Sequence, residues 1–287
     1  MKNKKLFITI FSLFIVCVGV FCYFTFHQEE GFRIIKLIDF AGKVEIKRKD
    51  VGVLDPYNDL RLIADDKVQT YSKSKAYFSL DSDKYIYCHE NSLVQIDSVG
   101  SQKNSRTKIT LLKGNELNEI QNPLSSKAKY NVETPNSIMS VRGTVFKVSV
   151  KYDENGESYA TLNVYEGSVK TELVFPDGTI SDPIVVKKGY AVDTHGTDKL
   201  SEYIISKNAT EDNDFVYPID YSSLSKQELE SLLEIYNHEK KELSIAKEEV
   251  QELLKEKNDT KEETKYTVNF YNQDELLETQ VTSEINY

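Results

Sequence analysis

The sequence predicts a mainly β chain: a β-sandwich or roll ectodomain, with an N-terminal transmembrane helix and a C-terminal amphipathic or coiled-coil helix. Three observations predict it. Short apolar runs with period-two alternation recur from Ile34 to about Ala209, punctuated by Gly, Asp and Asn. The aromatic complement of 18 Tyr and 13 Phe with no Trp suits pleated faces. Leu6–Phe26 is uncharged throughout and long enough for a helix to cross a hydrocarbon core of roughly 30 Å.

Lys2, Lys4 and Lys5 precede that apolar run, and His27, Glu29 and Glu30 follow it. The positive-inside rule then puts residues 1–5 in the cytoplasm as a tail and the bulk of the chain outside, on a single-pass signal-anchor at 6–26 in the cell membrane. A cleaved leader is the alternative. It lacks support, because no small-x-small site follows Cys22-Tyr23-Phe24-Thr25-Phe26. Of the three cysteines, Cys17 and Cys22 fall in the anchor, so Cys88 stands alone in the ectodomain and reads as a small buried hydrophobe.

The strands are expected at Lys43–Lys47, Ala76–Leu80, Lys84–Cys88, Ser92–Ile96, Lys108–Leu112 and Ala160–Val164. Asp153-Glu154-Asn155-Gly156-Glu157 reads as a hairpin tip. An internal echo places Gly42, Gly114, Gly143, Gly167 and Gly189 each just ahead of a strand, as tight turns re-entering the sheet.

The region 34–209 is organised around Val132–Val148. Pro135 closes an extended lead-in, a polar bend follows, and Arg142-Gly143-Thr144 opens a strand through Phe146 and Val148. This segment resembles the signature of the FecR domain. Further steps resemble that family in order: Leu62-Ile63-Ala64-Asp65-Asp66-Lys67-Val68-Gln69-Thr70, with Ala64-Asp65 where the family prefers Gly; Leu111-Leu112-Lys113-Gly114; Val164-Tyr165-Glu166-Gly167-Ser168-Val169; and Val186-Lys187-Lys188-Gly189. The resemblance implies an all-β extracytoplasmic module, with Pro135, Arg142, Gly143, Thr144, Phe146, Glu166, Gly167 and Gly189 as motif positions of structural use. Arg142 admits two readings. In one its guanidinium is a fork for a partner carboxylate. The other, preferred on the sequence, buries it against loop carbonyls and an internal acid.

Residues 210–222 form a polar linker. A single helix is expected over 223–257, opened by a capping box at Ser225–Glu228 and a Leu224–Leu229 staple. Leu229, Leu232, Tyr236, Leu243, Ala246, Val250 and Leu253 occupy heptad a and d positions, interrupted by Glu239. Residues 225–254 could therefore pair as a homodimer, or lie as a lone amphipathic helix. A charged linker at 258–265 leads to a β-hairpin at 266–287, which resembles the opening of a Listeria–Bacteroides or internalin B-repeat.

The net charge of −10 argues against a nucleic-acid ligand. No nucleophile elbow, phosphate loop or dinucleotide fingerprint is present. His27, His89, His195 and His238 are scattered. Asp65-Asp66 and Asp81-Ser82-Asp83 lack a calcium-loop context and read as solvated turn carboxylates. No catalytic residue, metal site or cofactor is therefore expected, and the chain reads as a non-enzyme. The functional expectation is an anchored envelope binding or scaffolding protein with a protein or cell-wall partner. The alternative, implied by the family, is a signal-transduction component of sigma-factor regulator type that acts through a membrane partner, since a tail at 1–5 is too short to bind a sigma factor.

Overall fold

In 34–195, strands of alternating burial form two sheets that share one long strand, as seen in a computed structural model that describes residues 34–81, 83–100, 104–195, 216–238, 242–259, 266–272 and 275–282. The expected anchor at 6–26 lies outside the described residues. Among the described residues, no helix is long and apolar enough to cross a membrane.

The strands are β1 (Ile35–Ala41), β2 (Val44–Arg48), β3 (Gly52–Leu54), β4 (Leu60–Leu62), β5 (Lys67–Thr70), β6 (Lys75–Leu80), β7 (Lys84–Cys88) and β8 (Leu93–Val99). The long β9 (Arg106–Ile120) follows, then β10 (Lys129–Thr134), β11 (Ser137–Val141), β12 (Val145–Tyr152), β13 (Ser158–Glu166), β14 (Ser168–Leu173), β15 (Ile184–Lys187), β16 (Tyr190–Asp193) and a short β17 (Val216–Pro218). Sheet A runs β3-β2-β5-β8-β9-β10-β11-β14-β15, antiparallel except for the β9–β10 pair. Sheet B runs β4-β1-β6-β7-β9-β12-β13-β16. The core carries Leu37, Ile46, Phe78, Ile86, Ile109, Val132, Phe146 and Leu162, all fully buried. Strand alternation supplies them directly: β6 turns Ala76, Phe78 and Leu80 inward and leaves the residues between them more exposed.

β9 belongs to both sheets. Its first half pairs with β8 and β10, and its second half, from Gly114, pairs with β7 and β12. Gly114 is the corner, at φ +87°; a Cβ there would lie 2.5 Å from the Ser92 Cα, so no other residue fits. Ser92 Oγ bridges the corner, accepting from Asn115 N at 2.9 Å. Gly114 therefore lies inside a strand, where the echo placed it ahead of one.

The tip expected at 153–157 joins β12 to β13. Asp153 Oδ1 accepts from Asn155 N and Glu157 N, both at 2.9 Å.

Residues Pro218–Tyr287 form a second compact unit. It holds a 3-10 turn (Tyr221–Ser223), α1 (Lys226–His238) and α2 (Lys247–Asp259). The capping box is formed: Ser225 N donates to Glu228 Oε2 at 2.7 Å, and Glu228 N donates to Ser225 Oγ at 3.3 Å. The single helix over 223–257 is not formed, and with it goes the continuous seam. The chain folds back so that α1 packs against α2. Tyr236 Oη donates to the Ile245 carbonyl, Tyr221 Oη to the Ser244 carbonyl at 3.1 Å, and Lys247 Nζ to Asn237 Oδ1 at 2.9 Å. Leu229, Leu232 and Val250, assigned to a dimer seam, are fully buried within the chain, as is Ile235. The physical reason lies in the apolar residues of the connection: Leu243 and Ile245 bury where the helix is interrupted, which a straight heptad stripe cannot do. At the C-terminus, Tyr266–Asn272 and Glu275–Thr282 pair antiparallel, as the hairpin reading expected.

Candidate functional site

The signature residues meet where the chain changes sheets. β11 in sheet A reaches β12 in sheet B through Arg142-Gly143-Thr144. β13 in sheet B reaches β14 in sheet A through Gly167, and β15 in sheet A reaches β16 in sheet B through Lys188-Gly189. Gly42 does the same between β1 and β2. All these glycines have positive φ: +74° at Gly42, +121° at Gly143, +74° at Gly167 and +87° at Gly189. The internal echo is thus a set of corners between sheets. Other crossings place a non-glycine in the same conformation, namely Asp59, Asp65, Lys73 and Asn91. Asp65, at φ +69°, stands where the family resemblance calls for glycine.

These corners are tied together. Ile120 N donates to the Thr144 carbonyl at 3.0 Å, Leu124 N to the Arg142 carbonyl at 3.3 Å, Lys188 N to the Gly167 carbonyl at 3.0 Å and Gly189 N to the Val164 carbonyl at 2.8 Å. Thr144 is buried, and its Oγ1 finds no hydrogen-bond partner among the described residues. Phe146 is fully buried, flanked in the ladder by Asn118 and Val164. Glu166 is half-buried opposite Val145. Pro135 is exposed in a two-residue turn with Asn136, between the paired residues Thr134 and Ser137.

Arg142 is exposed. Among the described residues, its guanidinium makes neither an ion pair nor a hydrogen bond, and Arg142 ties the corner through its backbone carbonyl. The expectation of a buried arginine satisfied by an internal acid is therefore corrected. The sheet change turns its side chain outward and leaves the structural role to Gly143.

The buried arginine–carboxylate pair exists elsewhere. Arg48 Nε donates to Asp66 Oδ1 at 2.9 Å and Nη2 to Asp66 Oδ2 at 2.6 Å; Nη2 also reaches the Arg61 carbonyl at 3.0 Å. Asp66 accepts from Ile63 N as well, and its side chain is 1% exposed. Hydrogen bonding to this carboxylate raises the Arg48 pKa above its ordinary value. Asp66 is therefore not a solvated turn carboxylate. Nor are Asp81 and Asp83 merely solvated: both bind the buried Lys84, at 3.4 and 2.6 Å. Sequence reasoning missed Arg48, which sits 18 residues from its partner.

Beneath the corners lies a polar cluster that sequence reasoning also missed. The sheet-B half of β9 turns Glu116 and Asn118 into the core, beside Cys88 of β7, and Tyr130 of β10 reaches them from sheet A. Tyr130 Oη donates to Asn118 Oδ1 at 2.7 Å, and Asn118 Nδ2 donates to Glu116 Oε1 at 3.1 Å. Glu116 Oε2 is buried without a hydrogen-bond partner among the described residues. Burial pushes the Glu116 pKa up to about 8, against the lowering effect of the Asn118 bond, so its carboxyl is protonated at neutral pH. Burial, reinforced by the Glu116 charge, also drives the Cys88 thiol and Tyr130 phenol well up. Cys88 is thus a buried, unreactive thiol. Among the described residues, no group of three or more His, Cys, Asp or Glu is placed to hold a metal ion.

No curated protein matches the chain. Two crystal structures of a Parabacteroides distasonis ATCC 8503 protein described as a putative anti-sigma factor, at 1.65 and 2.50 Å resolution, are similar with 11% identity and a TM-score of 0.35. Each match covers 44% of this chain and 53% of that protein, so the likeness spans about half of its length. The model of the FecR protein family matches residues 66–170, a stretch that holds the Asp66 anchor, the Gly114 corner, the Arg142-Gly143-Thr144 crossing and Gly167. The chain carries a FecR domain there.

Proposed function

We propose that the chain is a single-pass envelope protein, anchored at 6–26, whose FecR domain faces outward and binds a partner as part of signal transduction of the sigma-factor regulator type. One observation carries this reading: Arg142 of the signature has an exposed guanidinium outside any ion pair among the described residues, on a corner closely packed against Pro123 at Gly143 and against Thr144 at Gly167. An exposed arginine on a fixed backbone suits bidentate recognition of a partner carboxylate. Binding to cell-wall material is the second reading, supported by the ectodomain position expected from the charge flanking 6–26.

The test is a topology experiment on intact cells. Cys88 is buried and serves poorly as the reporter. A Glu154→Cys variant puts a thiol on the exposed tip, in a background with Cys17 and Cys22 replaced by Ser. A membrane-impermeant maleimide is expected to label it before lysis. Labelling only after lysis contradicts the outward-facing domain.

A further inference from the structure

We propose that a cation-lined cleft on sheet A binds a phosphate-class anion. The cleft is an open concavity of about 480 Å³ lined by Lys47, Arg48, Lys49, Asp65, Lys67 and Gln95. Lys47 of β2 and Lys67 of β5 are direct cross-strand partners, and Gln95 of β8 lies next in the same row. Adjacent strands lie about 4.8 Å apart, so the two ammonium groups can reach one tetrahedral oxyanion between them.

Like charges directly opposite each other destabilise a sheet, so this pair costs the fold something unless a counter-charge occupies the gap. The carboxylates nearby are Glu45, two residues along β2, which pairs with Lys43 at 3.1 Å while also feeling the Lys47 charge, and those of the cleft wall. Among the described residues, Lys47, Lys49 and Lys67 form no ion pair. Asp66 is committed to Arg48. Asp65, the acid in the lining, accepts from Gln95 Nε2 at 3.2 Å, and its backbone N–H donates to Asp97 Oδ1 at 3.0 Å. The Asp66 bond in turn fixes the Arg48 guanidinium at the cleft wall. Three lysines outside any ion pair, with Arg48 beside them and Asp65 as the acid of the lining, contrast with a chain of net charge −10, and the cleft focuses their field. Lysines acting as point charges suit a phosphate, whether free, in a phosphodiester polymer or on a lipid headgroup.

The test uses the full chain in non-ionic detergent and follows its thermal midpoint at constant ionic strength. One arm adds inorganic phosphate or glycerol 1-phosphate against a chloride control; the other adds phosphatidylglycerol against phosphatidylcholine in mixed micelles. A saturable rise of the midpoint is expected in at least one arm. A rise with soluble phosphate identifies a free or polymer-borne group, and a rise with phosphatidylglycerol alone identifies a headgroup. The K47Q/K67Q variant is expected to have a higher midpoint without anion and to lose the anion response, with apparent affinity down roughly tenfold or more. No saturable rise in either arm, an equal rise in the variant, or a lower starting midpoint for the variant overturns the site.

Discussion

Gly167 lies hard against Thr144: a Cβ on Gly167 would fall 2.7 Å from the Thr144 Cγ2 and 2.8 Å from the Gly143 carbonyl oxygen. Two segments of the family signature, separate in sequence, thus meet where one chain leaves sheet A and another leaves sheet B. The contact and a positive φ account for glycine at 167; at Gly143, φ +121°, the crowding neighbour is Pro123, whose Cα would lie 3.0 Å from an added Cβ. This packing also separates the structural part of the signature from Arg142, which projects from the same corner.

Lys73 tests the corner account in the stabilising direction. It is exposed, has φ +57° at the β5–β6 crossing, and uses its backbone N–H to reach Glu90 Oε2. Lys73→Gly keeps that bond and removes the left-handed penalty, so unfolding free energy should rise by about 1 kcal/mol. Chemical denaturation measures it; a loss of stability would mean the lysine side chain matters more than its backbone.

Glu116 makes the stability depend on pH in a stated direction. Its pKa in the folded chain, about 8, lies above the ordinary 4.5. Below 4.5 the carboxyl is protonated whether folded or unfolded, and the stability associated with it is fully present. As pH climbs towards 8, only the unfolded chain ionises, so stability falls at up to about 1.4 kcal/mol per pH unit and levels off above 8. Glu116→Gln should flatten this slope between pH 5 and 8 and be the more stable protein at pH 8. Denaturation midpoints across that range decide it, and an unchanged slope in the variant would refute the buried, protonated carboxyl.

Asp66 fixes the base of the β4–β5 corner. Asp66→Ala strips the mostly buried Arg48 of its partner and the Ile63 N–H of its acceptor. A cost of roughly 3 kcal/mol is expected. Asp66→Asn, which retains an acceptor oxygen, should cost less. Equal losses for the two substitutions would argue that the charge, not shape or a neutral acceptor, holds this pair together.

Much of the fold was legible in the sequence because a strand's burial alternates with period two. The strands at 84–88 and 160–164, the 153–157 tip and the capping box at Ser225 follow from local pattern alone. Alternation names the buried face but not the sheet that owns it. The passage of β9 through both sheets was therefore hidden, and with it the burial of Glu116 and Asn118 in a stretch that reads as polar. Left-handed Asp59, Asp65, Lys73 and Asn91 carry no glycine to mark their corners. The Arg48–Asp66 pair depends on two strands meeting in space. Arg142 was misjudged because the residue before a corner glycine can face either way, and only the strand register decides. The helical hairpin escaped the heptad count because Leu243 and Ile245 bury in the connection itself.

Comparing Gly167→Ala with Arg142→Ala in one denaturation series tests most directly the division of the signature into rigid corner and exposed recognition residue. Gly167→Ala should lose about 2 kcal/mol or more, from the forced φ and the clash with Thr144. Arg142→Ala should stay within about 0.5 kcal/mol of the parent, as an exposed residue with no partner to lose. A large loss at Arg142 with little change at Gly167 would contradict the account and return the arginine to the structural role.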